Sequence, residues 1–507
     1  MSTASAWSVA LLGMEGTLVE VEAAIGGGLP RTVLVGLPDA ALYEARDRCR
    51  AAVAGAGLAW PNQLLTINLT PASLPKAGSH YDLAIVSAVL VASGIVPRTI
   101  AASSVLVGEL GLDGRVREVH GVLPALLAAR GEGFTTAIVA AGQVAEAELV
   151  DGLTIWGVSC LADLIEVLHG RPVLGQAARS TAPTPQLPAY LPDLADVRGQ
   201  PDACWALEVA AAGGHHIFLH GAPGVGKSML AERLPGVLPD LRNDEALEVS
   251  AVHSLAGRPL TGGLIRRPPY SNPHHNASMA AMIGGGARVA RPGAISVAHR
   301  GVLFLDEVAE FSARVLDALR TPMETGKVTI ARSVSQVCYP ARFQLVMAAN
   351  PCPCGMLGVP GRNCSCTPMS VRRYNERLSG PILDRIDIHH RLLPSRLSLA
   401  EAPAGEPSAK VAERVALARQ RQARRLAGTP WRLNGEVPGA ELRKLPQAQG
   451  MSLLDDAVRC GRLSARGIDK VLRIGWTLAD LDGTDRITRT HLASALGLRQ
   501  DSWRSAA

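Results

Sequence analysis

Eight residues with the sequence GAPGVGKS, Gly221–Ser228, limit the folds open to this chain to a small set. A strand-like apolar run, His216–Leu219, precedes them, and a helix-forming run, Met229–Leu234, follows. In this context the glycines let backbone N–H groups surround phosphate groups, and the helix directs its positive end toward the same groups. The sequence therefore predicts a phosphate-binding loop between a strand and a helix of an α/β sheet.

The residue types of this loop predict that its ligands are ATP and Mg²⁺. The Lys227 ammonium group is expected to reach the β and γ phosphates, and the Ser228 hydroxyl is expected to ligate Mg²⁺. The residues predicted to bind the nucleotide are Gly221, Ala222, Pro223, Gly224, Val225, Gly226, Lys227 and Ser228.

Two further strand-like runs end in polar side chains. Gly301–Leu305 leads into Asp306 and Glu307. A carboxylate at the end of a buried strand beside the loop can hold Mg²⁺, so Asp306 is assigned to the metal and nucleotide, while Glu307 can polarise the attacking water. Gln344–Ala348 ends near Asn350, whose amide is expected to orient that water, although an asparagine before proline is also a plain turn signal.

Two arginines are predicted to complete the site. Arg385, within SGPILDRIDI, is a candidate arginine finger that enters the site of a neighbouring subunit and neutralises transition-state charge. The alternative is a local salt bridge of Arg385 with Asp384 or Asp387. Arg466, early in a predicted C-terminal helix, is a candidate contact to the γ-phosphate from a lid.

The composition excludes several classes of protein. With 507 residues, of which 47% are hydrophobic and 19% charged, the chain is expected to be soluble, with about three domains. It contains no run of about 18 uncharged apolar residues and no leader-like N-terminus, which predicts no membrane contact. Its nine cysteines do not form a secreted disulfide framework, so a cytoplasmic location is expected. The net charge of +6 permits nucleic-acid binding without requiring it.

Composition also divides the chain into four parts. Residues 1–170 alternate strand-like and helix-forming runs, which predicts an α/β domain. Residues 171–190 are polar and Pro-rich and are predicted to be a linker. Residues 191–394 surround the phosphate loop and predict a second α/β unit, and residues 395–507 are predicted to be helical.

The motifs resemble a known family. GAPGVGKS, GVLFLDEVAEF, AANPCPCG and SGPILDRIDI, in this order and spacing, resemble the magnesium-chelatase-like branch of AAA+ ATPases, and more narrowly its ComM (YifB) subfamily. VGLPDAALYEARDR near the start and LSARGIDKVLRIGWTLADL near the end extend the resemblance over nearly the whole chain. It implies an AAA+ core with a parallel sheet, a helical C-terminal lid, and a hexameric ring that uses ATP to translocate on single-stranded or branched DNA, as a branch-migration helicase does.

The N-terminal part is similar to the S5-like fold of the Lon protease domain, through the segment INLTPASLPKAGSHYDLAI. A Ser–Lys protease needs a serine nucleophile and a lysine that takes its proton. By this resemblance the nucleophile position falls on His80, with Ser79 displaced by one residue, and the matching lysine segment, Gly114–Ala129, contains no lysine. We therefore expect a collar that lacks protease chemistry and binds DNA or organises the ring.

Four cysteines fall within fifteen positions of the second α/β unit. They are Cys352, Cys354, Cys364 and Cys366. Four thiolates suit tetrahedral Zn²⁺ and would leave no open position for catalysis, so the predicted metal is structural. The spacing of one residue within each pair is shorter than usual, and a loop of reduced thiols is the alternative.

Contacts to DNA are expected from loops that face the channel of a ring. Lys327 and Arg332 lie in a predicted hairpin with strands Val328–Ile330 and Gln336–Tyr339, and phosphate contacts there would be independent of base sequence. His274 and His275 are candidates for the same channel, although YSNPHH departs here from the Arg- and Phe-bearing stretch of the family. A basic run between positions 414 and 425 is interpreted as a solvated helix face that could contact DNA.

Three other functions compete with a DNA motor. A magnesium-chelatase motor shares the core, but the collar and the cysteine cluster fit it poorly. A Lon-type protein-remodelling machine is disfavoured because the catalytic serine and lysine are missing. A scaffold switched by ATP has no need of Glu307, the acid that activates water.

Overall fold

The computed structural model describes most of the chain. The described residues are 2–36, 40–74, 76, 78–172, 192–260, 262–286, 290–331, 336–359, 361–394, 402–445, 449–461 and 463–499. Most of the predicted linker, from residue 173 onward, lies outside them, and so does Arg332. Within these ranges no helix is long and apolar enough to cross a bilayer.

The N-terminal part is built on a mixed sheet flanked by helices. Its strands are β1 (Ser2–Leu12), β2 (Glu15–Gly26), β3 (Arg31–Val35), β4 (Leu64–Thr70), β5 (Ser104–Val107), β6 (Glu109–Leu110), β7 (Val116–Arg117), β8 (Thr136–Ala140) and β9 (Thr154–Val158). Its helices are α1 (Ala40–Gly55), α2 (Asp82–Ala92), α3 (Arg98–Ser103), α4 (Val122–Gly131), α5 (Val144–Ala147) and α6 (Leu161–Leu168). Seven strands form one sheet in the order β3-β4-β2-β1-β5-β8-β9, while β6 and β7 form a separate ribbon.

Helix α2 lies within the hydrophobic core of this part. Its sequence, DLAIVSAVLVA, is apolar on all sides, and almost every residue is buried, as expected for a helix covered on every face. The carboxylate of its first residue, Asp82, accepts two hydrogen bonds from the Arg48 guanidinium at 2.8 and 3.0 Å. This pairing compensates a buried charge that would otherwise be costly.

The segment that resembles the Lon protease runs from β4 into the first turn of α2. The His80 ring is hydrogen-bonded to the Val9 carbonyl at 2.8 Å, and the Ser79 hydroxyl donates to Glu109. The buried Lys76 ammonium group donates to the Gly36 carbonyl at 3.1 Å. In this arrangement Lys76 is held by backbone oxygens.

The second part contains a parallel sheet. Its strands are β10 (Ile217–Gly221), β11 (Tyr270–Ser271), β12 (Gly284–Gly285), β13 (Arg291–Pro292), β14 (Val302–Leu305), β15 (Lys327–Ala331), β16 (Gln336–Pro340), β17 (Gln344–Ala349) and β18 (Ile388–Leu392). Its helices are α7 (Pro201–Gly213), α8 (Lys227–Val237), α9 (Asn243–Leu255), α10 (Met279–Ile283), α11 (Ala294–Val297), α12 (Ala313–Ala318), α13 (Arg320–Thr325), α14 (Pro368–Glu376) and α15 (Gly380–Leu383). Five strands, all parallel, form the sheet in the order β11-β14-β17-β10-β18, and β15 pairs with β16 as the predicted hairpin.

The C-terminal part is helical and shares its core with the parallel sheet. Its helices are α16 (Ser408–Arg425), α17 (Gly439–Leu442), α18 (Ser452–Arg459), α19 (Ala465–Asp482) and α20 (Arg489–Leu498). One hydrophobic cluster joins the two parts. It contains Phe304 of the sheet and Leu230 of α8, together with Val415 of α16 and Trp476 of α19. The predicted α/β class, with a parallel sheet and a helical C-terminal part, is confirmed.

The interpretation of the basic run in α16 as a solvated face is wrong. The Arg414 guanidinium binds both oxygens of Glu208, at 2.6 and 2.8 Å. The Arg425 guanidinium binds both oxygens of Asp480 at 2.5 and 2.7 Å, and it lies 4.4 Å from the ring centroid of Trp476. These arginines join α16 to α7 and α19, because the helix lies between two neighbours that carry acidic side chains.

The N-terminal part also contacts the hairpin β15–β16. Gly13, in the turn between β1 and β2, has a φ of 67°, which favours glycine. A Cβ atom at this position would lie 2.7 Å from the Cys338 carbonyl oxygen and 2.9 Å from Val337. The turn therefore touches the backbone of the hairpin that sequence analysis assigns to DNA contacts.

Candidate nucleotide-binding site

Three neighbouring parallel strands bring the predicted site residues together. β10 ends at Gly221, where the phosphate loop begins, β14 ends one residue before Asp306, and β17 ends one residue before Asn350. In the sheet order β14-β17-β10, all three chain segments leave the same edge. Ligands of open parallel sheets bind outside the carboxyl ends of the strands, which is where these residues lie.

The backbone of the loop requires glycine at two positions. Gly224 has a φ of 78° and Gly226 a φ of 95°, in the left-handed region where a Cβ is disfavoured. A Cβ at either position would meet no atom within 4 Å, so the requirement is conformational and not one of space. Gly226 precedes the first residue of α8, whose free N–H groups point toward the loop.

Lys227 lies at the centre of the site. Its ammonium group donates to the Gly221 and Ala222 carbonyls at 2.8 and 2.9 Å and to the Asn350 side-chain oxygen at 3.0 Å. Burial lowers the pKa of Lys227 to about 8, while Asp306 and Glu307 act in the opposite direction. The predicted lysine and the predicted polar amide therefore meet directly, although 123 positions separate them in sequence.

The acidic pair lies beside the start of α8. The Ser228 hydroxyl donates to an Asp306 oxygen at 2.7 Å, so the two predicted Mg²⁺ ligands are neighbours. The Glu307 N–H donates to the other Asp306 oxygen at 2.9 Å. Glu307 has a φ of 48°, and a non-glycine residue in this region carries backbone strain of about 1–3 kcal/mol. Such strain persists when the surroundings fix it, and it is concentrated at functional sites.

His275 contacts the acidic pair, a contact that sequence analysis missed. Its Nδ1 atom lies 3.5 Å from a Glu307 oxygen, and its ring lies 4.1 Å from that of His274. The reason is the topology: β11, four residues earlier, pairs in parallel with β14. The chain after β11 therefore emerges beside the chain after β14. Recognition of β11 as a strand in the sequence would have predicted this contact, but β11 has only two residues, too few to show a strand periodicity.

Of the two predicted arginines, one is paired with an acidic residue and the other is exposed. The Arg385 guanidinium binds Glu324 and the Pro381 carbonyl, the latter at 2.7 Å, and its side chain is 16% exposed. The alternative salt bridge with Asp384 or Asp387 is therefore wrong, because Glu324, at the end of α13, supplies the carboxylate. Arg466 is exposed at the second position of α19.

The remaining candidate residues lie on the hairpin β15–β16 and in the loop after β17. Lys327 is exposed at the first position of β15, while its predicted companion Arg332 is outside the described residues. The four clustered cysteines follow β17. Their sulfur atoms all lie within 4.8 Å of one another, which brings together four possible metal ligands.

Comparison with known proteins gives the same family over all three parts. The family models that match are "Subunit ChlI of Mg-chelatase" over residues 21–143, "Magnesium chelatase, subunit ChlI" over residues 193–398, and the corresponding C-terminal model over residues 405–499.

The individual relatives differ in how much of the chain they match. An uncharacterised protein of Mycobacterium tuberculosis is 50% identical, and the alignment covers 99% of each chain. The competence protein ComM of Haemophilus influenzae is 39% identical, over 98% of each chain. The magnesium-chelatase subunit ChlI of Nephroselmis olivacea is 36% identical over only 66 residues, 13% of this chain and 19% of that protein.

Proposed function

Because this chain belongs to the ComM (YifB) subfamily of the magnesium-chelatase-like proteins, we propose that it is an AAA+ ATPase that couples ATP hydrolysis to movement along DNA. The observation that carries the ATPase part is the convergence of Lys227, Ser228, Asp306 and Asn350 at one edge of the parallel sheet. These groups fit a magnesium nucleotide: a cation for phosphate oxygens, and a hydroxyl and a carboxylate for the metal.

Each residue has a distinct task in the proposed hydrolysis. Lys227 and the loop N–H groups bind the phosphates, and Ser228 and Asp306 hold Mg²⁺, which neutralises phosphate charge when bound. Glu307, whose side chain is half exposed, polarises the attacking water. Asn350 orients that water, and its hydrogen bond to Lys227 keeps its amide at the phosphate side of the site.

The proposed ring completes the site with an arginine from a neighbouring subunit. Arg385 would stabilise the charge of the transition state, as an arginine finger does. In this role the Arg385 guanidinium, which is paired with Glu324 in the single chain, would exchange that carboxylate for a phosphate oxygen when the neighbouring subunit docks. Arg466 is the proposed contact from the lid to the γ-phosphate. A homohexamer is the assembly that the family resemblance supports.

DNA is the proposed track because the competence protein ComM of Haemophilus influenzae aligns over 98% of this chain, whereas the magnesium-chelatase subunit ChlI of Nephroselmis olivacea aligns over only 13% of it. The hairpin β15–β16 is the proposed contact, with exposed Lys327 on a strand that begins directly after α13. Contacts of lysine with phosphate give affinity without base specificity, which a translocating motor needs. A branch-migration helicase acting in recombination or DNA uptake is the specific activity we propose.

A chelatase-type motor or a protein-remodelling ATPase is the second candidate, and DNA binding distinguishes the two. The Glu307→Gln variant with Mg-ATP is expected to hold the bound state, so that fluorescent single-stranded DNA binds with ATP more tightly than with ADP. In the Glu307→Gln background, Lys327→Ala should reduce the slope of the logarithm of the binding constant against the logarithm of salt concentration by about 1, the value for one lost phosphate contact. Lys410→Ala, an exposed lysine on α16, is the matched control. Absence of DNA binding with every nucleotide would favour the second candidate.

A further inference from the structure

The loop that follows Asn350 carries the four-cysteine cluster, and its geometry is that of an assembled metal centre. The Cys352 sulfur lies 3.4 Å from Cys354 and 3.7 Å from Cys364, and Cys354 lies 3.6 Å from Cys364. Cys366 is within 4.8 Å of the other three. All nine cysteines of the chain are free thiols.

These separations exclude disulfide bonds within the cluster and fit a shared metal ion. A disulfide requires an S–S distance of about 2.05 Å, far shorter than any of them. Four sulfurs at about 2.3 Å from one zinc ion at tetrahedral angles lie about 3.8 Å apart, close to the observed values. The spacing therefore matches a single tetrahedral ion, although each cysteine pair encloses only one residue.

The same loop lies against the phosphate loop. Gly355, directly after the first cysteine pair, has a φ of 76°, and a Cβ there would lie 2.5 Å from the Cδ and Cγ atoms of Pro223. Pro223 is the third residue of the phosphate loop, so the cluster's backbone touches the nucleotide site. The Leu357 N–H donates to the Cys352 sulfur at 3.4 Å, which anchors the far side of this turn.

The cluster also fixes the position of Asn350. Only one residue separates Asn350 from Cys352, which is fully buried. On its other side, the Asn350 backbone is hydrogen-bonded to the side chain of Tyr374, in α14. Asn350 is thus held between a possible metal ligand and a buried tyrosine while its amide contacts Lys227.

We propose that the four cysteines bind one zinc ion and that this centre positions the nucleotide site, by pressing Gly355 onto Pro223 and by holding Asn350 beside Lys227. The centre has no open coordination position, so it takes no part in hydrolysis itself. Its loss releases the phosphate loop on one side and Asn350 on the other. The positioning role rests on the nucleotide site proposed above, whereas zinc binding does not.

The first test is metal content. Full-length protein, purified without added metal, is expected to contain one zinc ion per chain when measured by inductively coupled plasma mass spectrometry. The double variant Cys364→Ser/Cys366→Ser should contain none, while Cys460→Ser, at an exposed thiol far along the chain, should retain the ion. Protein without zinc, or with equal zinc in the double variant, would overturn the site, and iron in its place would overturn the choice of metal.

The second test is nucleotide affinity, measured with a fluorescent ADP analogue and Mg²⁺. Removal of zinc from the wild-type protein by a zinc-selective chelator should weaken binding at least tenfold, and added zinc should restore it. This reversal needs no variant, so a cysteine variant that fails to fold does not prevent the test. Unchanged affinity after zinc loss, with the far-UV spectrum preserved, would overturn the positioning role.

The variant Lys227→Ala tests the nucleotide site independently of the zinc site. The variant should bind the ADP analogue weakly and still contain one zinc ion. If Lys227→Ala binds the analogue as the wild type does, the nucleotide site is misassigned and the positioning role falls with it. Zinc content remains the separate measure of the metal site.

Discussion

A buried ion pair between the lid and the parallel sheet offers a stability prediction of definite size. The Lys470 ammonium group in α19 lies 3.3 Å from an Asp387 oxygen and donates to the Ile386 carbonyl at 2.9 Å. His215 contacts the other Asp387 oxygen at 3.2 Å. Burial alone would raise the pKa of Asp387, but Lys470 and His215 hold it well below its usual range. Both members of the pair are at most 6% exposed.

Lys470→Met should therefore destabilise the protein far more than loss of a surface charge would. It leaves the Asp387 carboxylate buried without its cation, and removing one partner of such a pair costs about 3–5 kcal/mol. Lys470→Met/Asp387→Leu removes both charges and replaces them with apolar groups, a change that is often close to neutral. The double variant should thus recover most of the stability that the single variant loses.

Urea unfolding followed by far-UV circular dichroism measures this difference. Because one hydrophobic cluster joins the sheet and the lid, they are expected to unfold together. With an m-value of about 3 kcal/mol/M, the midpoint of Lys470→Met should fall by about 1 M. Lys444→Met, which removes an exposed lysine paired with Glu441, is the matched control and should shift it little. A loss below about 1 kcal/mol, or equal losses in the single and double variants, would refute the reasoning.

Three further predictions concern the site and the core. Asn350→Ala should lower kcat about 100-fold, seen in steady-state ATPase rates, because the water loses its orienting amide. Arg385→Ala should lower kcat about 1,000-fold, whereas Glu324→Gln, which removes only the resting partner, should not; equal losses would contradict the finger role. Burial lowers the pKa of His253 to about 4, which means that the folded state favours the neutral imidazole. As pH falls from 6.5 toward 4, the unfolded chain takes up a proton at this residue and the folded protein does not, so the free energy of unfolding decreases. Between pH 7 and pH 5 the wild type should therefore lose about 2 kcal/mol more stability in urea titrations than His253→Gln, with exposed His169→Gln behaving like the wild type.

The sequence predicted the convergence of the candidate site residues because the signals that mark these residues are local. The glycines of the phosphate loop, the apolar run before Asp306 and the run before Asn350 each mark the end of a buried strand. Parallel strands place such ends at one edge of a sheet, so their convergence follows once the strands are recognised. The hairpin β15–β16 was predicted for the same reason, from two short β-rich runs joined by a turn.

Contacts made between distant segments could not be predicted in this way. Arg385 is paired with Glu324, 61 positions away, because the end of α13 and the residues that follow α15 meet in space. The arginines of α16 bind acids on α7 and α19, and a single helix sequence cannot show which of its faces a neighbour covers. The contact of His275 with Glu307 depends on β11, which is too short to predict.

The rate of ATP hydrolysis with and without DNA tests the central claim most directly. If the protein is a DNA motor, single-stranded or branched DNA should raise the steady-state rate of the wild-type protein several-fold. Glu307→Gln should abolish both the basal and the stimulated rate while retaining nucleotide binding. A wild-type rate that DNA leaves unchanged, in a preparation whose hydrolysis is abolished by Glu307→Gln, would contradict the assignment of this ATPase as a DNA motor.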